Sequence, residues 1–190
     1  MDKLEKLDLK FNEYLRLYAK QREEKKAIEW LRKNVQKLVT NTSFALAKKD
    51  KKAVPQSRIL PGKFYIYLYD PKYKDTLPIW DGVPYVLVTS ITNNGFYGIN
   101  FHYLPPPLRV KFFAEIYKVA SKTKIGGSKA DKRTWLLANK LGSAIGANAQ
   151  LSHCVKRYLY SHLMSKVMLV EKDDWALTSF LPLAQMHTKN

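Results

Sequence analysis

Three short runs of β-forming residues lie between Gly62 and Leu104, and they constrain the fold more than any other part of the sequence. The runs, each rich in Tyr, Phe, Val and Ile, are Phe64–Tyr69, Tyr85–Ile91 and Phe96–Tyr103. These residue types suit a pleated, half-buried surface, and the breaks between the runs hold Asp-Pro, Trp-Asp-Gly and Asn-Asn-Gly, which turn easily. The stretch therefore predicts a small antiparallel sheet.

The ends of this sheet are also predicted by local chemistry. Asn93-Asn94-Gly95 favours a tight hairpin between the second and third runs, because Asn and Gly tolerate the positive φ that such a turn needs. Pro105-Pro106-Pro107 lacks three backbone donors, so the ladder must stop there. Helical spacing resumes from Arg109. We expect either an SH3-like barrel or a curled sheet, followed by a helix.

The whole chain reads as an α+β protein in two parts, because 190 residues can bury one sizeable core. Residues 1–58 predict amphipathic helices and a basic linker, and residues 59–190 predict a single α+β domain. Within that domain the expected pieces are the sheet at 62–104, a helical part at 108–165, a closing strand at 166–171 and a terminal helix at 173–181. The helical part includes LSHCVKRYLYSHLMS, and the helix before it is expected either to break near Gly142 or Gly146 or to pack closely against another backbone.

An apolar stripe marks the first predicted helix, over residues 3–20. Its members recur at helical spacing with charged residues between them, and we predict a partner-binding surface from Leu4, Leu7, Phe11, Leu15 and Tyr18. The stripe can pack within the chain, on another protein or on a copy of itself, so a homo-oligomer formed through the amino-terminal helices is one expectation. A second helical pattern follows from Glu23.

Positive charge dominates the chain, but it is unevenly distributed. The formal net charge is +17. Residues 1–58 carry 16 basic and eight acidic groups, residues 59–104 carry three of each, and residues 105–190 carry 14 basic and five acidic groups. A neutral sheet with basic flanks indicates a polyanionic partner, with nucleic acid ahead of an acidic membrane surface or an acidic protein.

The basic residues after the prolines are the predicted phosphate contacts. Together with two cations further along the chain, they are Arg109, Lys111, Lys118, Lys122, Lys124, Lys129, Lys132, Arg133, Lys156 and Arg157. Such contacts hold a protein on double-stranded DNA without reading its sequence. Aromatic side chains interleaved with cations can also stack on bases, although most of them are expected in the core: Tyr65, Tyr67, Tyr69, Tyr73, Trp80, Tyr97 and Tyr103.

No catalytic or cofactor motif stands out, so we expect a protein that is not an enzyme and uses neither metal nor cofactor. Cys154 is the single cysteine, and no CxxC, HxxxH, GxxxxGK[ST] or GxGxxG spacing occurs. His102 is expected to be structural. Asp70, Asp75 and Asp81 could hold magnesium in a nuclease, but two of them occupy ordinary turn positions. No membrane span or secretory segment is recognisable, which favours synthesis in a cytoplasm.

Several segments together resemble the DNA end protector proteins of contractile-tailed bacteriophages. They are, in order, PGKFYIYLYDPKYKDTLPIWDGVP, GFYGINFHYLPPPLR, KRYLYSH and W-ALTSFLP, with NFHYLPP as the most unusual. The resemblance covers residues 61–109 and 156–182. It implies a late virion protein, made in the host cytoplasm, that sits on the ends of packaged linear DNA and shields them from host exonuclease without catalysis.

Two other functions remain open from the sequence. The protein could be a structural subunit of the head, neck, tail or baseplate, with other phage structural proteins as partners of its apolar stripe. It could also be a metal-dependent nuclease, which the motifs support least.

Overall fold

Five antiparallel strands form one open sheet, and helices cover one of its faces. The computed structural model describes residues 21–47, 59–77, 79–121 and 128–181. The elements in chain order are α1 (Gln21–Ala47), β1 (Phe64–Ile66), β2 (Tyr85–Thr92), β3 (Gly95–Asn100), α2 (Pro106–Ser121), α3 (Ser128–Ala147), β4 (Val155–Leu159), β5 (Met168–Leu169) and α4 (Trp175–Thr178). The strand order across the sheet is β4-β3-β2-β1-β5. The α+β class is therefore confirmed.

The hairpin predicted from Asn93-Asn94-Gly95 joins β2 to β3. Thr92 pairs with Gly95 and Ile91 with Phe96, and the register then shifts between Val88 and Ser90. The bulge at this shift is tied to α3, since the carbonyl of Thr89 accepts a hydrogen bond of 3.0 Å from the indole Nε1 of Trp135. The predicted helix after the prolines is present as α2.

Gly142 lets α3 approach the same bulge closely. A Cβ at this glycine would lie 2.8 Å from Cγ2 of Thr89, which is too close for any larger residue without a local shift. The helix nevertheless continues to Ala147 without a break. The expected interruption of the helix is therefore wrong, and the close neighbour of Gly142 is the side chain of Thr89 and not the predicted backbone.

The described strands do not close into the predicted barrel. β4 and β5 occupy opposite edges of the five-stranded order, and β5 contains only two residues, which pair with β1. The closing strand expected at 166–171 thus exists in shortened form as an edge strand. An open sheet leaves the outer backbone side of β4 available to other parts of the molecule.

The prediction of a helix for the segment LSHCVKRYLYSHLMS is wrong. A short 3-10 turn at Ser152–Cys154 leads into β4, and a second turn follows at Tyr160–His162. β4 pairs with β3 over five residues, from Gly95 opposite Leu159 to Ile99 opposite Val155. Backbone pairing at the sheet edge has therefore overridden the apolar spacing that suggested a helix.

Alternating residues of β1 point into two separate apolar clusters. Phe64 and Ile66 face the helices, where the Phe64 ring lies 4.9 Å from that of Phe101 and 5.1 Å from that of Trp175. Tyr65 and the nearby Tyr67 face the other side, in a smaller cluster that also contains Tyr69, Val86, Val88, Phe96, Tyr158 and Val167. Both faces of the sheet are consequently buried.

The first and last helices join the larger cluster. Ala27 and Leu38 of α1 are buried with the sheet residues. Near the other end of the chain, Trp175 donates from its indole Nε1 to the carbonyl of Val170 over 3.1 Å. The hydroxyls of Tyr85 and Thr178 lie 2.9 Å apart. The predicted terminal helix is therefore present, but it is reduced to α4 after a short 3-10 turn at Lys172–Asp174.

Candidate nucleic-acid interface

A groove lies along the outer edge of β4, and it brings together residues about 80 positions apart in the chain. One wall is formed by residues 69–77 and 79–81, and the other is formed by β4. The groove has a volume of about 430 Å³. It is lined by Tyr69, Pro71, Lys72, Tyr73, Leu77, Ile79, Trp80, Asp81, Asn94, Tyr103, Val155, Lys156, Arg157, Tyr158 and Leu159.

Backbone hydrogen bonds hold the first wall of the groove in place. The N–H of Tyr69 donates to the carbonyl of Gly82 over 3.0 Å, which closes the base of the loop. The N–H of Asp70 donates to the carbonyl of His162 over 3.1 Å, and the ring Nδ1 of His162 lies 2.8 Å from the carbonyl oxygen of Asp70. Within the loop, the N–H of Lys74 donates to the carbonyl of Pro71 and the N–H of Leu77 donates to the carbonyl of Tyr73. The wall is therefore anchored at its base and along one side.

The second wall is attached to the first through a tyrosine. The N–H of Leu159 donates to the hydroxyl of Tyr69 over 3.1 Å, so the backbone of β4 faces the groove at this position. In an antiparallel pair the backbone groups of alternate residues point to the same side. The backbone N–H and C=O of Arg157, two residues earlier, therefore also face away from β3 and toward the groove.

Asp81 is the acidic residue of the groove, and its carboxylate is satisfied within the protein. It accepts hydrogen bonds from the N–H of Val83 at 2.8 Å and from Nδ2 of Asn100 at 3.1 Å, and it lies 2.9 Å from Nδ1 of His102. Burial raises the pKa of Asp81, but the hydrogen bonds with His102, Asn100 and Val83 outweigh burial and lower the pKa overall. The carboxylate therefore supports the loop and does not serve as a free acceptor.

Three cations line the groove, and each of them lies over an aromatic ring. Lys72 Nζ is 5.0 Å from the ring centre of Tyr73, and Lys156 Nζ is 5.6 Å from that of Tyr103. The guanidinium carbon of Arg157 is 6.0 Å from the ring centre of Tyr97, and its Nη2 donates to Oδ1 of Asn94 over 2.8 Å. Burial lowers the pKa of Lys156, which is partly enclosed. Positive charge and flat apolar faces thus occur side by side.

Arg109 is not a phosphate contact in this structure, which corrects the prediction. Its side chain is 1% exposed. Its Nε donates to the carbonyl of Leu104 over 2.8 Å, its Nη2 to the carbonyl of His102 over 3.0 Å, and its Nη1 to the carbonyl of Leu181. The guanidinium therefore joins the turn after β3 to the end of α4, and its role is structural.

The other predicted phosphate contacts fall into several groups. Lys156 and Arg157 both line the groove, while Lys111, Lys132 and Arg133 are exposed on α2 and α3. Lys118 lies 3.3 Å from the carboxylate of Glu115, one turn away on α2. Two of the predicted phosphate contacts, Lys122 and Lys124, lie outside the described residues, and for Lys129 the structure describes the backbone but not the side chain. The predicted partner-binding stripe also lies outside the described residues: Leu4, Leu7, Phe11, Leu15 and Tyr18.

The aromatic candidates divide between the core and the surface. Tyr65, Tyr67, Tyr69 and Tyr103 are buried, which agrees with the expectation that most of them would be core residues. Tyr73 is 58% exposed, and Trp80 is partly exposed beside it in the groove. Lys72 was missed as a predicted phosphate contact. Its position next to Tyr73 in the sequence PKYK is the local signal that could have identified it, but nothing in the sequence placed it opposite Lys156 and Arg157.

Candidate metal ligands are not gathered in the part of the chain that the structure describes. Among those residues, no group of three or more His, Cys, Asp or Glu side chains could hold a metal ion. His102, which was expected to be structural, is buried and bound to Asp81. The ring centre of His153 lies 6.3 Å from that of Tyr103, with the rings tilted by 52°, and its Nε2 lies 3.6 Å from the Sγ of Cys154.

The fold and the groove define a basic α+β protein with a groove that combines cations and aromatic side chains. The chain belongs to the Phage T4 terminal DNA protecting protein family, whose model matches residues 6–190. The resemblance to phage DNA end protectors is thereby confirmed. No curated protein sequence and no solved structure matches the chain significantly. Within residues 21–47, 59–77, 79–121 and 128–181, no helix is both long enough and apolar enough to cross a membrane.

Proposed function

We propose that this protein is a virion protein that binds the ends of packaged linear double-stranded DNA and shields them from host exonuclease without catalysis. The observation that carries the proposal is the family match, which extends over residues 6–190. The formal net charge of +17 supports it, because a protein with this charge is attracted to the phosphate backbone whatever the base sequence. Synthesis in the host cytoplasm and association with other phage structural proteins belong to the same proposal.

The exposed cations of α2 and α3 are the proposed contacts with duplex phosphates. Lys111, Lys132 and Arg133 are exposed on two helices that pack against each other on the same face of the sheet. Each phosphate contact on duplex DNA releases a condensed counterion, so the logarithm of the binding constant should fall with the logarithm of the salt concentration. Loss of three such contacts should reduce the magnitude of the slope of log binding constant against log salt concentration by about 2.7.

A gel-shift titration at several salt concentrations tests the binding. The variant K111A/K132A/R133A should bind linear duplex more weakly than the wild type and with the smaller salt slope. A matched control, K25A/K33A/K37A, removes the same charge from exposed positions of α1. If both triple variants lose affinity equally, overall charge and not the α2–α3 surface is responsible.

A digestion assay tests the shielding. Linear duplex is treated with a processive exonuclease after the protein has bound, and the surviving length is followed in time. The wild type should slow digestion from the ends, and K111A/K132A/R133A should slow it less. Digestion at the same rate with and without protein, or binding that does not depend on salt, would overturn the proposed function.

A further inference from the structure

We propose that the groove beside β4 binds the unpaired terminal nucleotides of a DNA strand. This inference rests on the proposed function and adds to it a way to recognise a DNA end. Binding to duplex phosphates alone cannot distinguish an end from the middle of a duplex, because the backbone is the same in both. An unpaired nucleotide occurs at a frayed or extended end. A site for it would therefore favour ends.

The volume of the groove is suited to one or two nucleotides and is too small to enclose a duplex. Its volume of about 430 Å³ lies within the range of roughly 300–1,000 Å³ that is typical of sites for small organic ligands. One or two nucleotides are of that size, whereas a duplex could only lie across the opening. The anchored loop at residues 69–77 and the strand β4 provide two fixed walls between which a strand end can enter.

The aromatic side chains in the groove offer surfaces for base stacking. Tyr73 is 58% exposed at the wall, and the partly exposed Trp80 also lines the groove. Single-stranded nucleic acid is commonly bound by this combination, in which bases stack on aromatic rings while cations follow the backbone. Because every base has an aromatic face, such a site accepts ends of any sequence.

The charges in the groove complement a phosphate backbone. Lys72, Lys156 and Arg157 line it, and the single carboxylate among its lining residues, Asp81, already accepts hydrogen bonds from the protein. The outward-facing backbone N–H of Arg157 supplies a further donor on the same wall. An anionic strand is therefore the occupant that this surface chemistry selects.

The test compares three DNA molecules and two tyrosine variants by fluorescence anisotropy. The DNAs are a duplex with a short single-stranded extension, a blunt duplex, and a relaxed covalently closed circle that has no end. The variant Tyr73→Ala removes the exposed ring of the groove, and Tyr117→Ala removes a 42% exposed ring from α2, outside the groove. Circular dichroism confirms that both variants are folded.

We expect the wild type to prefer the extended duplex over the circle, and Tyr73→Ala to bind the extended duplex about fivefold or more weakly. Its affinity for the circle should not change, and Tyr117→Ala should match the wild type on all three DNAs. Lys72→Ala and Arg157→Ala should each reduce the salt slope on the extended duplex by about 0.7.

The outcomes separate the groove from the proposed function. If the wild type binds all DNAs but shows no preference for the extended duplex, or if Tyr73→Ala binds the extended duplex as the wild type does, the groove is not an end site while the DNA-binding function stands. If the wild type binds none of the three DNAs, the proposed function itself fails.

Discussion

Replacement of Arg109 by Met should destabilise the fold and leave the DNA-binding surface intact. The guanidinium is buried, and it donates to the main-chain carbonyls of His102, Leu104 and Leu181. Met fills similar space but donates nothing, so three buried acceptors would lose their partner. Carbonyl groups left unsatisfied in the protein interior are costly, which makes this side chain a sensitive place to test the structural role.

The size of the effect follows from the contacts. Each hydrogen bond contributes about 1 kcal/mol net, and bonds from a charged donor contribute more. Removal of the buried charge also removes its desolvation cost, which offsets part of the loss. We therefore expect Arg109→Met to lower the free energy of unfolding by about 3 kcal/mol, a large part of the roughly 5–15 kcal/mol typical of a domain.

Urea unfolding followed by tryptophan fluorescence measures this change. With a denaturant slope of about 2 kcal/mol/M, the midpoint should fall by about 1.5 M. Lys111→Met is the matched control, because Lys111 is exposed on the same helix two residues later, and its unfolding free energy should change by less than about 0.5 kcal/mol. Arg109→Lys should also be destabilised, since one ammonium cannot replace the fork that reaches three carbonyls. If Arg109→Met unfolds at the wild-type urea concentration, the assignment of a structural role to Arg109 is refuted.

Two further predictions concern the sheet and the carboxylate in the groove. Gly95→Ala should lower the free energy of unfolding by about 1–3 kcal/mol or more, because the added Cβ would collide with the carbonyl of Tyr158. Gly82→Ala is the control, since its Cβ would come no nearer than 3.8 Å to the Trp80 ring. Equal melting temperatures for the two variants would contradict this reasoning. Acid should destabilise the protein through Asp81, because folding lowers the pKa of this carboxyl from its ordinary 3.8. At acid pH the unfolded state therefore binds more protons than the folded state. The contribution of Asp81 to the free energy of unfolding is complete above the unfolded pKa and is lost as the pH falls through the folded pKa. Asp81→Asn should show a smaller loss between about pH 5 and pH 3 in urea titrations, and an unchanged pH dependence would argue against that role.

Local sequence chemistry was sufficient for the elements whose signals are short-range. The Asn93-Asn94-Gly95 turn and the helix after the prolines both depend on the conformations that a few adjacent residues allow. The alternation from Phe64 to Tyr67 likewise places successive side chains on opposite faces of the sheet. The turn and the helix were confirmed because no distant contact is needed to decide them, whereas the predicted stop at Pro105 does not end the sheet, because β3 already ends at Asn100.

The segment 151–165 shows why other predictions failed. Its apolar spacing fits a helix, but Val155–Leu159 also has strand composition, and pairing with β3 decided between the two. The prediction that Arg109 contacts phosphate failed for a similar reason, because an arginine after three prolines in a basic segment has the local sequence of a surface residue. Its burial depends on the carbonyl of Leu181, 72 positions away.

The amino-acid sequence by itself determined the strand-forming stretch, the Asn93-Asn94-Gly95 turn, the helix after the prolines and the excess of positive charge, because each is a property of neighbouring residues or of composition. The tertiary structure alone decided that the sheet stays open, that Arg109 is internal, and that Lys72 and Tyr73 lie across a groove from Lys156 and Arg157. The physical reason is that a groove between a loop and a sheet edge exists only after strands distant in sequence have paired, and the order of that pairing is not encoded in any local pattern.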